Sequence, residues 1–167
     1  GGPAALSTPP PPRAAMSETA PAELFEPEVM ALFDKYKRPL YSLFNYYCAG
    51  ASTLNLAAFI TMAQNFDISP TFLTKKELRA IHTDAARAHA GGPGRADSGA
   101  GGGEGLGYAA FVEALGRLAL IALSKPAFQR LYPTPRSKVA VLLEMWGLAD
   151  QRKLQEVQVR AGATEVA

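Results

Sequence analysis

A chain of 167 residues, 48% of them apolar, is long enough and apolar enough to bury one sizeable core. Its formal charge of +2 is too small to imply nucleic acid or an acidic membrane as a partner. Cys48 is the only cysteine, which excludes an internal disulfide and a cysteine-built zinc site and suits a reducing, cytoplasmic compartment.

Residues 1–22 are rich in Pro, Ala and Ser, with prolines consecutive from Pro9 to Pro12. Such a run favours extended polyproline geometry and reads as a linker or tail. Arg13 beside it also permits a ligand for a proline-recognising domain. No charged n-region leads into an apolar stretch, so no signal peptide is expected.

The helical domain is expected over residues 23–149. Val29, Phe33, Tyr36, Leu40, Leu43 and Tyr47 recur at steps of three and four, one face of an amphipathic helix. Pro39 predicts a kink, or two consecutive helices meeting near Lys37, and Gly50 ends the segment. A short helix follows from Leu56 to Phe66, capped by Asn55. Ser69 and Pro70 break the chain. Thr74 and Glu77 then form a capping box for a helix that turns Leu78 and Ile81 inward and ends near Ala90.

Residues 91–107 hold nine of the 15 glycines and predict a flexible insertion. The next helix runs from Tyr108 to Leu123, with Phe111, Leu115, Leu118 and Ala122 on one face. Its apolar run is far short of the ~20 residues that cross a bilayer. Thr134 and Pro135 open a further helix with stripe Val139, Leu142, Leu143 and Trp146, stopped by Gly147. Residues 150–167 read as a polar helix or tail.

Two stretches match. The run from Thr53 to Ile60, TLNLAAFI, aligns with the run from Gly105 to Val112, GLGYAAFV. Each places one leucine after a loop, then Ala-Ala and Phe in the first turns of a helix. Each is preceded by an amphipathic helix. The order helix, loop, leucine, helix, repeated, is that of paired EF-hands. Leu54 and Leu106 take the apolar loop position eight, and Phe59 and Phe111 take position thirteen.

This layout resembles degenerate EF-hand modules, above all the p25-alpha type of tubulin polymerisation-promoting proteins and related modules of ciliary and flagellar cytoskeletal proteins. The likeness spans residues 26–148 and is carried by the segments LFNYYC (43–48), FITMAQNF (59–66), YPTP (132–135) and KVAVLL (138–143). The glycine insertion departs from that compact form. The resemblance implies an all-α fold of two EF-hand-like helix-loop-helix units paired through a minimal β-ribbon, with one or two C-terminal helices added. It also implies tubulin or an axonemal protein as partner, on doublet microtubules of a cilium or flagellum.

Calcium needs about six oxygens, with a bidentate carboxylate at loop position twelve. Counted from the leucines, that position is Ala58 in the first loop and Ala110 in the second. The first loop offers Tyr47, Ala49, Ala51, Thr53 and Asn55 at the other ligand positions, none of them acidic; the second offers glycines. No metal and no cofactor is expected. A calcium-responsive adaptor and a general cytoplasmic scaffold are the alternatives.

No catalytic group stands out. His82 and His89 are seven residues apart, not the four that ligate one zinc ion, and read as surface histidines. Cys48 reads as a buried structural thiol. The glycine run lacks the Gly-Lys-Ser/Thr of a phosphate cradle. Three basic sets could face an acidic partner: Lys35, Lys37 and Arg38; Lys75, Lys76 and Arg79; Arg136 and Lys138. Phe44 and Tyr47 read as core, and Tyr46 as an interface anchor.

Overall fold

The computed structural model describes residues 15–90 and 105–166, with side chains as far as 162. The proline run and most of the glycine insertion lie outside the described residues. The described chain is all-α. Its helices are α1 (Pro27–Lys35), α2 (Lys37–Cys48), α3 (Leu56–Asn65), α4 (Lys75–Ala90), α5 (Tyr108–Leu123), α6 (Pro126–Gln129), α7 (Pro135–Ala140) and α8 (Gln151–Val166). A 3-10 turn at Ala22–Phe25 precedes α1, and a π-helical turn at Val141–Met145 extends α7. Among the described residues, no helix is long and apolar enough to cross a membrane.

Local chemistry sets the boundaries. The helix pattern from residue 27 to 48 is interrupted at Tyr36, three residues before Pro39, whose missing N–H cannot close the ladder. Ala49 takes the left-handed conformation after α2, and Gly50 follows at φ 92°. Asn55 accepts from the Ala58 N–H and caps α3. Thr74 and Glu77 form the reciprocal box at the start of α4, at 2.9 and 3.1 Å. Thr134 does the same for α7 with Ser137. Gly147 at φ 87° ends the π-helical turn.

The long, almost wholly apolar α5 is the centre of the molecule. It packs along α4 and meets α2, α6, α7 and the 3-10 turn. Phe59, Phe111, Leu40, Leu43, Met62, Leu78 and Ile81 fill the space between the helices. Phe44 sits among Tyr41, Tyr108 and Phe111, with ring centroids 5.3–6.3 Å apart.

Contacts with the helical domain begin earlier in the chain than the sequence suggests. Within residues 1–22, read as a linker or tail, Ser17 is bonded to Glu113 of α5. Ala20 is buried, and Leu24 is buried over Gly116 of α5. A Cβ at residue 116 would fall 2.7 Å from a Leu24 methyl, so glycine is what lets the strap approach the helix.

Candidate functional site

Three features stand out. The first is the meeting of the two repeated segments. Leu54 and Leu106 form an antiparallel bridge, each donating its N–H to the other's carbonyl at 2.8 and 2.9 Å. It is isolated, and the described residues contain no strand. Both leucines are fully buried, and the helices that follow them carry Phe59 and Phe111 into the core. His82 of α4 reaches the same place. Its Nε2–H donates to the Leu54 carbonyl at 3.1 Å, and its ring lies against Phe59. The expectation of a surface histidine is wrong for His82, which is 2% exposed. It shares the inward phase of Leu78, Ile81 and Ala85 on α4. Burial disfavours the imidazolium and lowers its pKa, although the Leu54 carbonyl partly opposes this. Ala58 and Ala110 stand at the heads of the two helices. Among the described residues, no group of three or more His, Cys, Asp or Glu side chains comes together.

The second feature escaped the sequence reading. Glu113, in the apolar run of α5, is 0% exposed and ties three parts of the chain together. One carboxylate oxygen accepts from the Ser17 N–H at 2.6 Å and His89 Nε2 at 2.9 Å. The other accepts from the Ser17 hydroxyl at 2.9 Å and the Arg117 guanidinium at 2.8 and 3.1 Å. Arg117 also donates to the Thr19 carbonyl. Burial alone would push the Glu113 carboxyl up. The bonds from His89, Ser17 and Arg117 more than offset it and hold the carboxyl at about 2. His89 is therefore no free surface residue either. The available signal was Glu113 and Arg117 at i, i+4, the only charges in an otherwise apolar helix.

The third feature is an aromatic cluster where the start of α4, the end of α5 and the π-helical turn converge. Phe72 stacks on Trp146 at 4.5 Å and meets Phe128 at 5.4 Å. Lys125, just after α5, donates to the Phe72 carbonyl and to Glu77. All three rings are half-buried.

Of the basic residues, Lys35, Lys37, Arg38, Lys75, Lys76, Arg79 and Arg136 are exposed. Lys35 lies over the Tyr36 ring, and Lys37 lies 3.6 Å from Asp34. The Tyr36 hydroxyl donates to Glu144 and feels the charge of Arg136, so the joint of α1 and α2 adjoins the start of α7. Lys138 does not belong with them. It is 4% exposed, and its Nζ is spent on the Tyr132 carbonyl at 2.6 Å, because the side chain shares the inward face of Val139. Tyr46 is half-buried and packs edge-on against Tyr47, whose hydroxyl accepts from Asn65. Phe44 and Tyr47 lie in the core. Cys48 is buried, and burial pushes its thiol up, away from the reactive thiolate.

Comparison of the chain with protein-family models, curated proteins and solved structures finds no match.

Proposed function

We propose that this chain is a non-catalytic, calcium-independent protein-binding module of a cytoskeletal assembly, built as two EF-hand-like units joined at their loops. The observation that carries the reading is the Leu54–Leu106 bridge, with Ala58 and Ala110 each four residues beyond it. A paired loop with alanine in place of the chelating acid keeps the architecture of an EF-hand pair without its ligand. The helices then have no ion-driven change of angle, and the module is constitutive. The buried, unactivated thiol of Cys48 and the structural engagement of both histidines fit a role without chemistry.

The partner we propose is tubulin or an axonemal protein, which places the module on the cytoskeleton, in the cytoplasm or a cilium. Lys35, Lys37 and Arg38 are exposed around the joint of α1 and α2, with Arg136 near Tyr36, and Lys75, Lys76 and Arg79 are exposed in the first two turns of α4. Exposed basic residues steer encounter with acidic surfaces. Co-sedimentation with microtubules tests the proposal. The chain should pellet at micromolar protein, and the triple variant Lys35→Glu, Lys37→Glu, Arg38→Glu should remain in the supernatant. A wild-type chain that never pellets would remove the microtubule assignment.

A further inference from the structure

Ser17, Thr19 and Leu24 each meet α5, at Glu113, Arg117 and Gly116. Those three positions share one helix face. The segment from Ser17 to Leu24 is thus a strap with a polar fastening at its start and an apolar one at its end. Its own backbone bonds are short turns, from the Ala20 N–H to the Ser17 carbonyl and from the Leu24 N–H to the Pro21 carbonyl. Among the described residues, no backbone hydrogen bond joins it to another helix. Only side chains hold it down, so it can lift without unwinding any helix.

The polar fastening is sensitive to charge. The Ser17 N–H and hydroxyl donate to the two oxygens of Glu113 at 2.6 and 2.9 Å. That carboxylate is 0% exposed and can only accept. Phosphorylation would replace the Ser17 O–H donor with a group that only accepts and carries about −1.5 to −2 charge at neutral pH. His89 and Arg117 cannot serve it without leaving Glu113, to which both are already bonded. A buried carboxylate stripped of those partners is costly. Ser17 is also suited to modification, being half-buried in a stretch with no helix, beside exposed Glu18 and Thr19.

We propose that the strap is a latch closed by the Ser17 hydroxyl, and that a phosphoryl group on Ser17 holds it open. In the transfer, the serine oxygen bonds to the terminal phosphorus of a nucleoside triphosphate. The nucleoside diphosphate leaves, and the hydroxyl proton passes to solvent. A protein kinase takes the hydroxyl while the strap is lifted, and the added charge opposes reclosing. Opening withdraws Leu24 from Gly116 and bares that face of α5. The latch is independent of which partner the module binds.

Ser17→Asn and Ser17→Asp are nearly equal in size and differ by one charge. The test compares both, in the full chain, with wild type and with a chain carrying phosphoserine at position 17. Hydrogen–deuterium exchange followed by NMR reads the strap at the Ala20 and Leu24 amides. The Leu118 amide, in the middle of α5, reads the core. Strap protection in the Asn chain should match wild type. It should fall at least about tenfold in the Asp chain and further with phosphoserine, while Leu118 stays protected. A phosphoserine chain as protected as the Asn chain would overturn the latch. So would a rise in protection, which would mean that the phosphate draws Arg117 and His89 to itself and tightens the strap. Loss of protection at Leu118 together with the strap would show that the strap does not open on its own, and would also overturn it.

Discussion

An ionised carboxylate survives burial only when its oxygens are fully engaged, and Glu113 engages both. Its carboxyl at about 2 lies below the ordinary ~4.3, so the folded chain binds this proton more weakly than the unfolded chain does. The resulting stability is whole above roughly pH 4.5 and is lost as the pH falls towards 2. Glu113→Gln keeps the shape and deletes the charge. It should lower unfolding free energy by about 3 kcal/mol at neutral pH, measured by urea denaturation. The deficit should shrink as the pH approaches 2. A deficit constant with pH would mean that the charge is not what holds the cluster. His82 has the opposite charge type. Its lowered pKa means that the unfolded chain takes up a proton the folded chain refuses, so stability is present above ~6.5 and declines as the pH falls below it. His82→Gln retains an N–H for the Leu54 carbonyl and has no proton to gain. Its urea midpoint should vary less than the wild type's between roughly pH 7.5 and pH 5. Equal slopes would sink that assignment. Neither cluster was legible in the sequence, for a common reason. Partners of Glu113 come from residues 17, 89 and 117, and His82 meets a carbonyl 28 residues away. Phase along α4 did carry a signal for His82, since it falls beside Ile81 and one turn from Leu78. Lys138 next to Val139 carried the same kind of signal.

Helix boundaries, by contrast, were readable because caps are local. The Asn55 cap and the box of Thr74 with Glu77 lie within three residues of the amides they satisfy. The break before Pro39 follows from one ring and one missing donor. The strap was not readable, because nothing in residues 17–25 says which helix they will lie on. What fixes it is the contact of Leu24 with Gly116 and the Glu113 cluster one turn away. That contact makes a prediction at the level of the element. Alanine at residue 116 would favour the helix by about 1 kcal/mol on propensity alone. Its Cβ would meet the Leu24 methyls at 2.7 and 2.8 Å and its Cγ at 3.3 Å, so the fully buried Leu24 would have to shift. Crowding of this kind costs about 1–3 kcal/mol and should outweigh the propensity gain. Leu24→Ala alone should cost about 2–4 kcal/mol through the space it leaves. The two together should cost less than their sum, because each relieves the other's defect. A double-mutant cycle by thermal unfolding reads this coupling, and additivity would show that strap and helix do not press on each other.

At the scale of the whole molecule, the repeat was the most informative part of the sequence. Two copies of a leucine, an Ala-Ala step and a phenylalanine are separated by a helix and a glycine-rich insertion, and their leucines bridge in the fold. In the EF-hand pairing proposed above, the two positions that would hold the bidentate acids are Ala58 and Ala110. Converting one of them does not supply the other oxygens, since the first loop has no carboxylate from Tyr47 to Asn55. The consequence can be measured on the intact chain. An ion bound at 100 times its dissociation constant would stabilise the fold by about 2.7 kcal/mol, and for a domain of this size that raises the melting temperature by several degrees. Millimolar calcium should therefore leave the thermal transition where chelator leaves it, within error. Ala58→Glu should behave in the same way, because a single acid cannot assemble a shell of six. If calcium raised the wild-type transition by several degrees, oxygen ligands would have to come from outside the described residues, where Asp97 and Glu104 lie, and the module would be switched rather than constitutive.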